Sequence, residues 1–158
     1  MATEGSPDAA LTEYAGQLFF RLWRASHIRI ARELESLGLT PARFGLLNLL
    51  ASVDGANQQE LGRAMGVDPS TMVSLVDELE AAGLAKRQPH PADRRARAVV
   101  LTAKGRRVRE RGRELASQVE DEVLGGLTAA ERRELLRLLR QANSTAPPQP
   151  PWRAEEGD

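Results

Sequence analysis

The chain has 158 residues with 22 basic and 22 acidic side chains, so its formal net charge is zero, and it contains no cysteine. That length suits one domain carrying an oligomerisation extension, large enough to bury a core without staples. The missing thiols exclude disulfides, thiolate metal sites and thiol redox sensing, and with no signal-peptide pattern or apolar run near 18 residues, a soluble cytoplasmic protein is expected.

Taken in chain order, residues 1–7 read as a disordered start. From 8 to 38, Leu11, Tyr14, Leu18, Leu22 and Trp23 recur every three or four positions, which predicts an amphipathic helix stopped by Gly38. Thr40-Pro41 opens a second helix, since Thr accepts orphan N–H groups and Pro suits the first turn. Phe44, Leu46, Leu47, Leu49 and Leu50 make that helix apolar nearly all round, hence buried. Asp54-Gly55 should end it, and Asn57 with Glu60 should cap a short third helix running to Met65.

Gly66 supplies the backbone freedom for a tight turn. Asp68-Pro69 then starts a fourth helix, with Met72, Val73, Val76 and Leu79 expected on its inner face and Gly83 at its end. Residues 84–89 and 96–102 read as strands bounded by Pro89 and Pro91, a two-stranded ribbon. Thr102 starts a long fifth helix with Val108, Leu115, Val119 and Val123 as its stripe, interrupted by Gly105 and Gly112. Leu127 to Glu131 forms a capping-box opening for a sixth helix with Leu135, Leu136, Leu138 and Leu139. Residues 143–158, rich in Pro and acids, read as a disordered tail.

Two short helices joined at Gly66 and followed by a basic ribbon make a winged helix-turn-helix. The fold class is therefore mainly α with a small two-stranded β-wing, flanked by N- and C-terminal dimerisation helices. Residues 39–105 would form the DNA-binding region and 106–142 the long helix with the C-terminal dimerisation helix. Charge supports a polyanion partner: between residues 86 and 113 eleven basic side chains face two acids, a surplus of nine in a neutral chain.

The fourth helix would lie in the major groove of double-stranded DNA, with Ser70, Thr71 and Ser74 offering hydroxyls to bases or phosphates near a helix N-terminus. Hydroxyls are promiscuous readers, so part of the specificity should come from DNA shape. Arg95 is the candidate minor-groove finger, and Arg94, Arg97, Lys104, Gln58 and Gln59 are candidate phosphate contacts. Asp93 would pair with Arg95 and orient it. Trp23, His27, Phe44 and Leu47 define either an apolar small-ligand cleft or plain core packing. No metal or cofactor is expected, because only two histidines exist and they lie far apart. No nucleophile elbow, phosphate loop or catalytic triad is visible, so an enzyme is not expected.

These residues also carry a family likeness. Asp93-Arg94-Arg95 followed by Leu101-Thr102-Ala103-Lys104-Gly105 resembles the wing signature of MarR-type transcriptional regulators. Leu75 to Leu84 resembles the end of their recognition helix, and Leu39 to Phe44 the opening of their second helix. The resemblance implies a six-helix winged protein, dimeric through its first, fifth and sixth helices, that represses from a pseudo-palindrome and is released by a small phenolic or other lipophilic molecule. Many relatives have Arg where this chain has Ser74 and Glu78, which also admits a protein-interaction adaptor without operator binding. Phe44 is followed by Gly45 where urate-responsive members carry an acid.

Overall fold

A computed structural model of the chain describes residues 14–53, 55–90 and 96–145. Six helices and a two-stranded antiparallel sheet follow in order. They are α1 (Ala15–Glu35), α2 (Pro41–Ser52), α3 (Gln58–Met65), α4 (Pro69–Ala81), β1 (Ala85–Pro89), β2 (Arg97–Leu101), α5 (Ala103–Val123) and α6 (Ala129–Thr145). The expected disordered start and most of the Pro-rich tail, together with Asp54, lie outside the described residues.

Local chemistry sets most boundaries. Thr40 accepts from the Arg43 N–H ahead of Pro41, and Asn57 and Glu60 close a full capping box on α3. Thr128 and Glu131 close the same reciprocal pair at the start of α6. At its other end α1 finishes with the Leu39 N–H bonded to Leu34 O and the Gly38 N–H to Glu35 O, a Schellman arrangement that satisfies the last carbonyls.

The core gathers under the helix-turn-helix. Leu46, Leu47, Leu61, Met72, Val76, Leu79 and Val99 are each at most 1% exposed. Val73, expected on the inner face of α4, is instead 43% exposed, and Leu75 is buried. At about 100° per residue, seating Met72, Leu75, Val76 and Leu79 inward turns position 73 out onto the face of Ser70 and Asp77.

β1 pairs with β2 in the register Ala85↔Leu101 to Pro89↔Arg97. The Val99 N–H bonds to Ala56 O and Asn57 bridges Ala98, so the approach to α3 forms a third edge of the wing sheet, which the strand pattern did not announce.

The two glycines of α5 prove to be its contact points rather than breaks. Gly105, Gly112 and Val119 are buried at heptad spacing along one face. A Cβ on Gly105 would sit 1.9 Å from Leu84 O, and one on Gly112 would meet the Phe44 ring at 2.6 Å. Thr102 reinforces the first approach, its hydroxyl lying 2.7 Å from Gly83 O. Toward the ends of the chain burial thins: α6 has no fully buried residue, and Leu34 is the one buried residue of α1.

Two glycine substitutions should therefore differ in sign. Gly105→Ala forces backbone apart and should cost about 3 kcal/mol, lowering Tm by roughly 6–12 °C. Gly16→Ala, in α1 with nothing within 4 Å of its Cβ position, should leave Tm unchanged or raise it. Thermal unfolding by circular dichroism checks both.

Candidate nucleic-acid interface

The face formed by α3, the turn at Gly66 (φ 66°), the start of α4 and the wing carries the polar side chains expected to meet DNA. Ser70 and Ser74 are exposed on α4 and Thr71 is half-buried. None of the three hydroxyls is idle. Ser70 Oγ donates to Asp68 Oδ1 at 2.5 Å, and Thr71 Oγ1 donates to Asp68 Oδ2 at 2.6 Å. Ser74 Oγ donates to Ser70 O at 3.2 Å. Asp68 also accepts the Thr71 N–H at 2.9 Å, as a helix N-cap does. The hydrogen bonds from Ser70 and Thr71 hold its carboxyl well below the ordinary carboxylate range.

The acids farther along α4 are all engaged. Arg43 of α2 donates Nε to Glu78 Oε2 at 2.5 Å and Nη1 to Gly38 O at 3.3 Å. Arg87 of β1 reaches back over α4, giving Nη2 to Asp77 at 2.6 Å and Nη1 to Glu80 at 2.5 Å. Its Nε donates to Gln58 Oε1 at 2.9 Å and its backbone N–H to Glu80 Oε1 at 2.9 Å. Bonds from the Arg87 backbone and side chain lower the Glu80 carboxyl. One guanidinium thus ties the wing strand to both helices of the helix-turn-helix.

Several expected DNA contacts also have partners within the chain. Gln58 is held by Arg87, so its carbonyl is committed inward, whereas Gln59 is exposed. Lys104, expected on a phosphate, donates Nζ to Ala82 O at 2.8 Å and so caps the end of α4, because the Leu84–Gly105 approach brings the start of α5 under that helix end. Arg97 is exposed at the start of β2. Asp93, Arg94 and Arg95 lie outside the described residues; the His90 N–H bonds to Ala96 O just beyond the two strands.

The basic run is also partly consumed. Arg109 donates to Asn48, Arg111 pairs with Glu114 and Arg113 with Glu110. Lys86, Arg106 and Arg107 stay exposed.

Trp23, His27, Phe44 and Leu47 do not line one cavity among the described residues. Leu47 is fully buried in the core and Phe44 packs on Gly112, while Trp23 and His27 stack at 4.7 Å on the outer part of α1. Helix geometry explains the separation: Phe44 and Leu47 face the helix-turn-helix core, and the Trp23 turn of α1 has already left it. Trp23 instead borders an apolar cleft of about 400 Å³ with Phe19, Ile30, Val119, Leu135 and Leu139.

Arg87, Arg43 and Asp68 were not singled out as functional from the sequence. An Asp-Pro pair followed by Ser and Thr does signal a capped helix with local hydroxyl partners. Nothing in the spacing announces the Arg87 fork, which needs β1 laid against α4. No described group of three or more His, Asp or Glu side chains is placed to hold a metal ion. No described helix is long and apolar enough to cross a membrane.

Comparison with known proteins places this arrangement. The MarR family profile matches residues 37–96. The chain is 31% identical over 129 residues to the HTH-type transcriptional repressor Rv2887 of Mycobacterium tuberculosis, covering 82% of this chain and 93% of that protein. Among solved structures it resembles an E. coli MarR variant complexed with operator DNA (TM-score 0.70, 27% identity, 80% of this chain and 91% of that one). It also resembles CouR from Rhodococcus jostii bound to p-coumaroyl-CoA (TM-score 0.76, 28% identity, 87% and 96% covered). With capped α3 and α4, a two-stranded wing and flanking helices in matching order, the chain belongs to the MarR family of winged helix-turn-helix transcriptional regulators.

Proposed function

We propose that this chain is a homodimeric, sequence-specific DNA-binding repressor of the cytoplasm, released from a pseudo-palindromic operator by a small lipophilic or phenolic molecule. The observation that carries the reading is the polar outer face of α4 standing beside a wing strand that Arg87 locks to it. Residues 39–105 form the DNA-binding region, α4 enters the major groove through Ser70, Thr71 and Ser74, Arg95 enters the minor groove, and Arg94, Arg97 and Gln59 hold phosphates. A similar protein crystallised on operator DNA supports this assignment.

The adaptor alternative rests on Ser74 and Glu78 standing where many relatives have Arg; Glu78 is paired with Arg43, which offsets its charge toward a polyanion.

The second copy follows from exposed apolar area. Phe19, Phe20 and Trp23 of α1 are 51–56% exposed and Leu138 of α6 is 49% exposed. Covering a Phe or Trp side chain fully stabilises by roughly 1.5–3 kcal/mol, so a partner's α1 and α6 are the natural cover. Two α4 helices then reach half-sites about 34–36 Å apart, or a multiple. The cleft between Trp23, Val119 and Leu139 suits a lipophilic effector, and the p-coumaroyl-CoA complex of a similar protein supports that class.

Two experiments test this reading. In gel shifts on the DNA flanking its own gene, affinity should fall steeply with salt, and Arg97→Ala should flatten the log–log slope by about two, one phosphate per wing. Arg95→Ala should cost about 1–3 kcal/mol of affinity at unchanged Tm. Salt-insensitive or absent DNA binding would favour the adaptor. In sedimentation, Phe20→Glu should shift the protein toward monomer at micromolar concentration and weaken operator binding with it; an unchanged dimer would refute the α1 seam.

A further inference from the structure

In the first turn of α4 the hydroxyl protons are already committed. Those of Ser70 and Thr71 go to the two oxygens of the Asp68 carboxylate, at 2.5 and 2.6 Å, and that of Ser74 goes to Ser70 O. A hydroxyl has one proton and two lone pairs. Once its proton is bound to an anion in a short, charge-assisted bond, it presents lone pairs alone to the outside. Ser and Thr ordinarily read donor or acceptor edges alike; this pair can only accept.

The carboxylate adds a second bias. It sits at the N-cap of α4 and offsets the positive end of the helix dipole. Held well below the ordinary carboxylate range by Ser70 and Thr71, it stays ionised at neutral pH. The turn therefore repels acceptors, phosphate oxygens included. In the major groove the donors are the exocyclic amines of cytosine (N4) and adenine (N6), the latter beside its N7 acceptor, whereas guanine (N7 and O6) and thymine (O4) offer acceptors alone.

We infer that Asp68 sets the base preference of α4: by holding the Ser70 and Thr71 protons it makes this turn a reader of amine edges, selecting cytosine or adenine and rejecting guanine or thymine on the strand it faces. Asp68 is a positioning residue that acts through the two hydroxyls. The inference rests on the proposed entry of α4 into the major groove.

The test uses the full-length dimer and a randomised duplex DNA library, with sequences counted after selection. Positions whose preference collapses in Ser70→Ala or Thr71→Val mark the bases that these hydroxyls face. There the native protein should enrich A or C over G or T by roughly five-fold or more. Asp68→Asn keeps an equally good helix cap, so Tm should hold. Its amide, however, offers one acceptor oxygen and a donor NH2, so one hydroxyl proton is turned outward. At the marked positions the preference should fall below about two-fold or shift toward G or T, with total affinity unchanged or higher. Marked positions that favour G or T in the native protein overturn the inference. So does an Asp68→Asn profile identical to the native one, or the absence of any position that responds to Ser70→Ala or Thr71→Val, since Asp68 would then be a cap alone. Failure of the native protein to enrich any duplex sequence defeats the DNA-binding reading itself, and is recognised before any variant is compared.

Discussion

The Arg87 fork is the constraint on which the reading face depends. Its side chain is 22% exposed, while Asp77 and Glu80 keep 59% and 38%, so the pairs are part-solvated and their value lies in geometry more than in energy. Asp77, Glu80 and Gln58 meet it from α4 and α3. The planar guanidinium bonds in fixed directions, so satisfying all three sets the angle between wing and helix. The apolar core that joins Ala85, Val99 and Leu101 to Leu75, Val76 and Leu79 lies beneath, and the fork adds direction to that contact. The neutralised acids of α4 belong to the same arrangement: Asp77 and Glu80 serve Arg87, and Glu78 serves Arg43, so the C-terminal half of the helix presents paired rather than bare carboxylates toward a polyanion.

A second joint connects that face to the rest of the molecule. Leu84 O and the Gly105 backbone touch without an intervening side chain, while Thr102 and Lys104 bond the carbonyls that end α4. Direct backbone contact leaves little to repack, so a displacement of α5 carries the end of α4 with it. The apolar side chains are divided to match. Those under the helix-turn-helix are sealed, and those of outer α1 and of α6 are half in water.

Much of this was legible in the residue pattern, since it depends on contacts within one turn of chain. Thr40-Pro41, Asn57 with Glu60, Asp68-Pro69, Thr102 and Thr128 with Glu131 each cap the helix expected of them. The buried leucines of α2 and the two short strands, the first ending at Pro89, follow from the apolar run and from Pro placement. Val73 was misplaced because a run of apolar residues at 72, 73, 75 and 76 admits two facings, and only the packed core chooses between them. Lys104 and Gln58 were assigned to phosphate on residue type alone; their partners, Ala82 O and Arg87, lie 22 and 29 positions away in sequence.

The amino-acid order by itself therefore determined where the helices from α2 onward open, that a basic ribbon follows a helix-turn-helix, and which family this is, because caps, turns and periodicity act over a few residues. It did not give the end of α6, which runs to Thr145 past the tail boundary expected at 143. Tertiary structure alone decided which polar side chains face outward. Arg87, Lys104, Glu78 and Phe44 take their roles from neighbours that arrive only when β1 lies on α4 and α5 meets Leu84 and Phe44. A long side chain goes where its charge or its surface is satisfied, and those partners are set by packing rather than by spacing along the chain.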